Sequence, residues 1–439
     1  MRIAIVGSGI AGMTTAALLH PQHDITVLEA NDYIGGHTHT VAVDSAHGEV
    51  LVDTGFIVFN ERTYPNFCRM LSQLGVPSEP TSMSFSVRCD RTGCEYNGTS
   101  LNGVFSQRRN LLRPSFLRMV ADILRFNRQA VEEIESLDTE TTVGEFLSRH
   151  RYSRTFAQHY LLPMGAAIWS CPTPTFRQFP IRFIIEFYKN HGLLQLKDRP
   201  VWRTISGGSK SYVEKLTSPF RSRIRLNCPV KRVWRLDDVV EIVTNLGTEA
   251  FDEVIFACHS DQAVRLLGDA DQVEKSILSE FPYSSNRVVL HTDTSVLPRS
   301  RRAWASWNYH IPSTSTDRPT LTYWMNLLQG LDCKETYCVT LNEDDAIDPD
   351  KVLGRFNYSH PIFTTRREAA QKRHTEVIRH RRTSFCGAYW GNGFHEDGVN
   401  SALAVCRAFG VSSTDWSVVS RPSDSLRIDS RRRREMSHA

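Results

Sequence analysis

The sequence lacks both a long hydrophobic run and a large excess of either charge. Its 439 residues carry 52 Lys and Arg against 48 Asp and Glu, which gives a formal net charge of +4. No window reaches the roughly 18 consecutive apolar residues of a membrane-spanning helix, and so small a charge does not indicate nucleic-acid binding. We also expect neither a signal peptide before the first strand nor a C-terminal Ser-Lys-Leu address. We therefore expect a cytoplasmic protein without a nucleic-acid partner.

Metal-ligand motifs are equally scarce. Ten cysteines are scattered along the chain, and the pairs Cys89/Cys94 and Cys333/Cys338 share a four-residue gap that a zinc site could use. No histidine pair follows at zinc-finger spacing, so we expect no metal and reduced thiols packed in a core. Internal repeats and long linkers are absent as well. The tail over 412–439 is polar and basic, and its composition predicts disorder.

What is present begins at the N-terminus with the pattern of a dinucleotide-binding unit. An apolar strand over 2–6 is followed by a helix over 13–20 and a strand over 24–29, and the turn after the first strand is Gly7-Ser8-Gly9-Ile10-Ala11-Gly12. Such glycines allow a tight turn, a close approach of the backbone to a pyrophosphate, and close helix–strand packing. The helix N-terminus offers free N–H groups to the phosphates, and Glu29 would bind a ribose diol. The order of these elements predicts nucleotide binding rather than a helix packed on a strand without a ligand.

A second glycine motif indicates which nucleotide. The stretch Val27-Leu28-Glu29-Ala30, followed by Gly35-Gly36-His37-Thr38, resembles the second fingerprint of the FAD-dependent amine oxidase and phytoene desaturase superfamily. In that superfamily the glycine pair packs near the flavin diphosphate, and an arginine usually follows where this sequence has His37. The resemblance implies FAD as the cofactor.

Three later stretches extend the resemblance over nearly the whole chain. Asp53-Thr54-Gly55-Phe56 resembles the glycine turn under the flavin, and Val230 the residue whose backbone holds adenine. The strand ending in Gly387 and the helix beginning at Gly398 resemble the elements that face the flavin pyrimidine. The dipole of that helix would stabilise a reduced, anionic flavin. Glu396 and Asp397 join the expected cofactor site, with helix capping as their alternative role.

More narrowly, the strings over 53–67, 207–209 and 393–398 resemble flavoproteins associated with cyclopropane fatty acid synthases. This resemblance implies an apolar, lipid-like or polyketide-like substrate and a place in lipid metabolism.

The superfamily resemblance implies an α/β fold in which a Rossmann-like FAD-binding domain is interleaved with a substrate domain of mixed sheet and helices. We assign 1–75, 205–270 and 384–411 to the FAD-binding domain. The substrate-binding domain takes 76–204 and 271–383. Strands predicted over 251–257, 287–292 and 320–327, a hairpin over 230–244, and a helix over 111–135 fit this division.

Three histidines are candidate catalytic residues. By resemblance to monoamine oxidases, His395 and His360 fall where the two walls of the substrate cage lie. His291 falls on the strand whose counterpart carries a lysine that holds water against flavin N5. A histidine can serve as base, acid or donor, and the alternative is a structural histidine bonded to backbone. His259 is predicted to be a loop residue. Because no Gly-Gly-Cys-Tyr motif occurs, we expect FAD to be bound non-covalently.

The aromatic residues Trp307, Tyr323 and Trp324 lie on strands of the presumed second sheet and are candidate substrate contacts, with ordinary core packing as the alternative. The helix over 111–135 mixes apolar residues with arginines. Such a helix can make a weak contact with anionic lipid, although a solvated surface helix is the interpretation that we favour.

These observations predict an FAD-dependent oxidoreductase of the oxidase or desaturase type. It would abstract a hydride from an apolar small molecule, giving a double bond or an oxidised carbon, and O2 or a quinone would reoxidise the flavin. A redox-neutral double-bond isomerase and a non-catalytic flavoprotein partner subunit are the alternatives.

Overall fold

The computed structural model describes residues 1–46, 48–195, 198–313 and 318–411. The tail predicted over 412–439 lies outside the described residues. The strands within the described residues are β1 (Arg2–Val6), β2 (Asp24–Leu28), β3 (Thr40–Ser45), β4 (Gly48–Asp53), β5 (Val58–Asn60), β6 (Ser78–Thr81), β7 (Phe85–Cys89), β8 (Cys94–Asn97), β9 (Trp202–Ile205), β10 (Ile224–Arg225), β11 (Arg232–Arg235), β12 (Val240–Val243), β13 (Thr248–Phe251), β14 (Glu253–Phe256), β15 (Tyr283–His291), β16 (Trp307–Ile311), β17 (Thr320–Trp324), β18 (Cys338–Leu341), β19 (Val352–Pro361) and β20 (Thr383–Phe385).

The α-helices of the same part of the chain are α1 (Ile10–Leu19), α2 (Pro65–Gln73), α3 (Leu101–Val104), α4 (Pro114–Glu133), α5 (Val143–Arg149), α6 (Arg154–Phe156), α7 (Leu162–Trp169), α8 (Thr173–Phe176), α9 (Ile181–Asn190), α10 (Lys210–Thr217), α11 (Ser260–Leu266), α12 (Gln272–Leu278), α13 (Met325–Leu328), α14 (Arg367–Lys372) and α15 (His395–Ala408). None of these helices is both long and apolar enough to cross a membrane.

A parallel sheet holds the N-terminal βαβ unit. Its strand order is β10-β2-β1-β14-β20, and every neighbouring pair runs parallel. Ile3, Ala4 and Ile5 of the central strand are fully buried, as expected for parallel strands covered on both faces. The helix α1 forms the crossover from β1 to β2, and α15 packs beside it. The apolar strands and the glycine turn thus produce the predicted unit, although α1 begins at Ile10, earlier than expected.

The predicted hairpin over 230–244 is confirmed as β11 and β12, and β13 adds a third antiparallel strand. The single strand predicted over 251–257 is wrong in extent. Phe251 ends β13, whereas β14 begins at Glu253 in the parallel sheet, and the intervening Asp252 accepts a hydrogen bond from the Arg2 N–H at 2.7 Å. The chain therefore passes from the three-stranded sheet to the parallel sheet at Asp252. An apolar run alone does not reveal this change of sheet.

A mixed sheet of seven strands forms the second layer, in the order β19-β15-β18-β17-β16-β7-β8. The pair β16–β7 is parallel, and the other neighbours are antiparallel. The strand predicted over 320–327 ends at Trp324, because α13 follows directly. The helices α4, α5, α7 and α9 share a large apolar core with this sheet.

The strands of the two large sheets alternate along the chain. The parallel sheet draws on 2–28, 224–256 and 383–385, whereas the seven-stranded sheet draws on 85–97 and 283–361. The α/β fold class is confirmed, and the domain boundaries given above stay a prediction.

The helix predicted over 111–135 is α4. Arg118 and Arg125 pair with Asp122 at 3.5 and 3.2 Å, while Leu117 and Leu124 are exposed. A weak contact of this face with lipid stays a prediction.

Candidate flavin site and substrate cavity

The glycine turn after β1 is tightly packed at Gly12 and open to a cavity at Gly9. A Cβ atom on Gly12 would lie 2.0 Å from the carbonyl oxygen of Gly7, so a side chain cannot be accommodated there. A Cβ atom on Gly9 would meet no atom within 4 Å, because Gly9 borders a cavity. The second glycine pair lies against this turn, since a Cβ atom on Gly36 would come within 3.0 Å of the Gly9 Cα. The two motifs therefore form one open backbone cradle at the N-terminus of α1.

Glu29 is fixed at the carboxyl end of β2, beside this cradle. Its Oε2 accepts hydrogen bonds from the Ser8 backbone N–H at 2.8 Å and from the Ser8 hydroxyl at 2.6 Å. Its Oε1 accepts a bond from the Asn31 N–H at 2.9 Å. Each carboxylate oxygen keeps acceptor capacity toward the cavity, which Glu29 also lines. This arrangement can bind a ribose diol.

The cradle opens into a cavity of about 860 Å³. Most of the predicted cofactor residues line it, namely Gly7, Ser8, Gly9, Ile10, Ala11, Glu29, Ala30, Gly35, Gly36, His37, Gly55, Phe56, Val230 and Gly387. Its other half is walled mainly by aromatic and aliphatic side chains, namely Met83, Phe85, Tyr96, Tyr160, Met164, Ile168, Trp169, Phe187, Leu193, Trp202, Trp307, Tyr323, Leu328 and Phe394. Among the residues that the structure describes, no lysine lines this cavity, and Glu29 supplies its single carboxylate.

Several predicted cofactor residues lie behind the wall instead. Asp53 is fully buried and accepts hydrogen bonds from the Thr40 hydroxyl at 2.5 Å, the Ser209 hydroxyl at 2.8 Å and the Ser209 N–H at 3.0 Å. Burial raises the pKa of Asp53 to about 6. Thr54 bonds to the Tyr358 hydroxyl at 2.7 Å. These residues hold neighbouring turns in place and do not face the cavity.

The predicted cofactor residues at the start of α15 also lie outside the cavity lining. The helix begins at His395, and Gly398 lies inside it, where a Cβ atom would come within 2.7 Å of Ile10 Cγ2. Glu396 accepts hydrogen bonds from the N–H groups of Asn66 and Phe67 at 3.0 and 2.9 Å, so it caps α2. Asp397 accepts a bond from the Phe394 N–H at 2.9 Å. Both acids cap helices, which was the alternative role considered for them.

His395 lines the cavity and is held rigidly. Its Nε2 lies 3.0 Å from the Thr38 hydroxyl and 3.1 Å from the Tyr212 hydroxyl, and its ring stacks on Phe56 with centroids 3.5 Å apart. Burial lowers the pKa of His395 to about 3. The imidazole is therefore neutral near pH 7, and we expect it to act through hydrogen bonding and shape.

The structure does not bring His291 to this site. His291 is fully buried, its Nε2 lies 2.7 Å from the Thr340 hydroxyl, and its Nδ1 accepts a bond from the Asp293 N–H at 3.1 Å. These contacts match the structural role considered as its alternative.

His360 does line the cavity, together with His37 and His259. The ring centroids of His37 and His360 lie 5.2 Å apart, and those of His37 and His259 lie 6.1 Å apart. His259 is a loop residue, as predicted, but its place on the cavity wall was not predicted. Its position three residues after the end of β14 is a usable signal, because ligands of parallel sheets bind at the carboxyl ends of strands.

Two of the three predicted substrate residues reach the cavity. Trp307 and Tyr323 face each other across β16 and β17, with centroids 5.0 Å apart. Trp324 points to the opposite face, as strand alternation requires, and packs against Trp304. Trp169, Phe187 and Trp202 also line the cavity, and nothing in their local sequence marks them.

The model of the family described as flavin containing amine oxidoreductase matches residues 10–353, most of the chain. The chain belongs to this family. It is accordingly an FAD-dependent oxidoreductase that acts on a small molecule.

Solved structures of the same fold cover 93% of this flavin oxidoreductase. A CLA-producing fatty acid isomerase from P. acnes has a TM-score of 0.67 at 16% identity, with 98% of its own chain covered. Cyclohexylamine oxidase from Brevibacterium oxydans IH-35A has a TM-score of 0.64 at 14% identity, with 99% of its chain covered. Putrescine oxidase bound to putrescine has a TM-score of 0.63 at 12% identity, also with 99% covered. At these identities the likeness shows the fold alone. No curated protein matches the sequence.

The residues of the cradle fit an FAD diphosphate on two grounds. Gly9 leaves open space beside the N-terminus of α1, where a phosphate can accept backbone N–H bonds. Within the described part of the chain, His37 Nε2 is buried without a hydrogen-bond partner. A bound anion would supply that partner.

Proposed function

We propose that this flavoenzyme removes a hydride and a proton from an apolar, lipid-like substrate and leaves a double bond or an oxidised carbon. The observation that carries the proposal is the composition of the cavity half beyond the cradle. Its walls are mainly aromatic and aliphatic, with His191 and Arg199 among them, and the carboxylate of the cavity lies with the cradle at Glu29. A cationic amine would lose its hydration there without a carboxylate to replace it, whereas an alkyl chain gains from burial.

When bound, FAD supplies the redox chemistry by accepting the hydride at N5. The chain supplies binding and orientation. The glycine cradle, Glu29 and Val230 hold the cofactor, and the apolar walls exclude water from the substrate. His395 positions the wall formed with Phe56, while Trp307 Nε1, buried without an acceptor, is a donor for an oxygen on the substrate.

We propose that FAD is bound without a covalent link. Cys258 lines the cavity, but burial raises the pKa of its thiol to about 12, so the nucleophilic thiolate is scarce. Acid precipitation of the purified protein tests this point. Flavin colour in the supernatant is expected, and colour retained in the pellet would contradict the proposal.

Anaerobic mixing with substrates tests the reaction itself. Unsaturated fatty acids are expected to bleach the visible flavin band, and O2 or a quinone to restore it. Aliphatic amines of equal chain length serve as the matched probe. Bleaching by amines alone would overturn the assignment of an apolar substrate.

A pair of variants links the reaction to the cavity. Trp307→Phe removes the unpaired donor from the cavity wall. It is expected to raise KM several-fold, because the substrate would lose the binding free energy of about one net hydrogen bond. Trp324→Phe makes the same change on the opposite face of the sheet and is expected to leave KM unchanged. Equal effects of the two variants would place the substrate elsewhere.

One observation favours a second candidate, a redox-neutral double-bond isomerase. No lysine lines the cavity among the described residues, and His291, expected on the strand of the oxidase lysine, faces the core. The fold is also shared with a fatty acid isomerase. An isomerase would convert the substrate with no acceptor consumed and with oxidised flavin at the end. A reduced flavin that reacts with no acceptor would instead indicate a non-catalytic partner subunit.

A further inference from the structure

The three histidines that line the cradle end of the cavity come from three separate segments. His37 follows the second glycine pair, His259 follows β14, and His360 lies near the end of β19. Their rings lie close together, with His37 between the other two at 5.2 and 6.1 Å. His37 is also hydrogen-bonded to the backbone of Ser359, so one of its two ring nitrogens is already used.

Two of the segments touch the glycine cradle directly. Gly36, which precedes His37, would bring a Cβ atom within 3.0 Å of the Gly9 Cα. Ala257 and Cys258, which precede His259, pack against Gly7. The cluster therefore lies beside the place where the N-terminus of α1 can receive a diphosphate.

The hydrogen bonds of the rings leave polar atoms unused. His37 Nε2 is buried without a partner in the described part of the chain. His360 Nδ1 accepts a hydrogen bond from Asn286 Nδ2 at 3.2 Å, and His360 also lines the cavity. The ring of His259 stacks on Tyr283 with centroids 4.2 Å apart. This stacking orients the imidazole but uses neither of its nitrogens.

No carboxylate near the three rings is free to pair with a protonated imidazole among the described residues. The titratable groups that face the three rings are Asp261, Arg265, Tyr283, Tyr358 and His395. Asp261 is paired with Arg265 at 2.8 Å, and Glu29 nearby is bonded to Ser8 and Asn31. Burial and the neighbouring imidazoles lower the pKa of His37 well below its ordinary value, and that of His360 to about 4. In the free protein the cluster is therefore neutral near pH 7.

We propose that His37, His259 and His360 form a proton-linked anion site for the diphosphate of FAD, so that the protein takes up protons when the cofactor binds. The two negative charges of the diphosphate stabilise the imidazolium form of the nearest rings, which desolvation alone disfavours. The proton comes from solvent and is released when FAD leaves. Affinity for FAD is then highest at low pH and declines as the pH rises through the values of the bound state. This proposal depends on the cofactor alone and not on which substrate the enzyme uses.

Calorimetry of the flavin-free protein tests the proposal. FAD is titrated at pH 7 in buffers of different ionisation enthalpy, and uptake of about one proton per FAD is expected. The dissociation constant should rise by up to about tenfold per pH unit above neutrality. ADP-ribose carries the diphosphate without the flavin and should cause the same uptake, whereas riboflavin should cause none.

Variants assign the proton to the cluster. His37→Gln and His360→Gln are expected to reduce proton uptake and to flatten the pH dependence of FAD affinity. His37→Arg carries a permanent charge and should bind FAD tightly above neutral pH, with reduced uptake. The matched control is His20→Gln, at the end of α1 outside the cavity lining, which should behave as the wild type.

Three results would overturn the proposal. They are a wild-type affinity that is flat with pH, proton uptake caused by riboflavin but not by ADP-ribose, and uptake unchanged in both His→Gln variants. If His37→Gln fails to fold by circular dichroism, His360→Gln and the ADP-ribose comparison still decide. None of these measurements uses a substrate, so their failure is distinct from a failure of the proposed reaction.

Discussion

At the scale of single residues, two glycines of one turn have opposite surroundings. Gly12→Ala places a methyl group 2.0 Å from a backbone oxygen, and we expect it to destabilise the fold by about 1–3 kcal/mol. Gly9→Ala meets only the open cradle, so its unfolding free energy should stay within about 0.5 kcal/mol of wild type. FAD affinity should nevertheless fall. Urea unfolding and flavin fluorescence measure the two effects. Wild-type FAD affinity in Gly9→Ala would mean that the diphosphate lies elsewhere.

His395 gives a second prediction at this scale. Since burial lowers its pKa to about 3, its charge does not change across the working range of the enzyme. The rate of anaerobic flavin reduction should therefore have the same pH profile in wild type and in His395→Asn. The variant should reduce the flavin about fivefold more slowly, because losing one net hydrogen bond costs about 1 kcal/mol. A limb of the profile that disappears in the variant would identify His395 as a general base instead.

At the scale of elements, Asp53 joins the end of β4 to the start of α10 through Ser209. Its folded pKa of about 6 lies above the roughly 3.9 of an unfolded chain. The native state thus favours the protonated form, and the associated stability is complete below about pH 4 and lost as the pH rises through about 6, by roughly 3 kcal/mol. Asp53→Asn stays neutral and should remove this slope. Urea unfolding of the flavin-free protein at pH 4.5 and 7.5 measures it, and an unchanged difference between these pH values would contradict the assignment.

Elements whose structure is set locally are the ones that the sequence predicts well. The unit β1–α1–β2 follows from a short apolar strand, a glycine turn and an acid within thirty residues. The start of α15 was misplaced because Gly398 serves packing against Ile10, while the Phe394–Asp397 cap begins the helix. The cap of α15 and its contact with α1 both fall within residues 394–398. The sequence alone does not show which of these residues begins the helix and which one packs against α1.

At the scale of the whole molecule, the cofactor half of the site was largely predictable and the substrate half was not. The predicted cofactor residues cluster in motifs, since a diphosphate would be bound by consecutive backbone groups. Trp169, Phe187 and Trp202 reach the cavity from a helix end, a second helix and a separate strand. Only tertiary packing brings them together. Trp307 and Tyr323 were predicted because they are aromatic residues on strands of the second sheet. The same reasoning also selected Trp324, which packs against Trp304 instead.

The same cavity leads to a prediction about the whole molecule, because its walls come from both large sheets. Glu29 follows β2 of the parallel sheet, whereas Trp307 and Tyr323 belong to the seven-stranded sheet. FAD at a hundred times its dissociation constant should add about 2.7 kcal/mol to the unfolding free energy. If the cofactor couples the sheets, hydrogen exchange of β1 and hydrogen exchange of β16 and β17 should slow by the same free energy. Protection confined to β1 would show that the two sheets unfold separately and that the cofactor stabilises the parallel sheet alone.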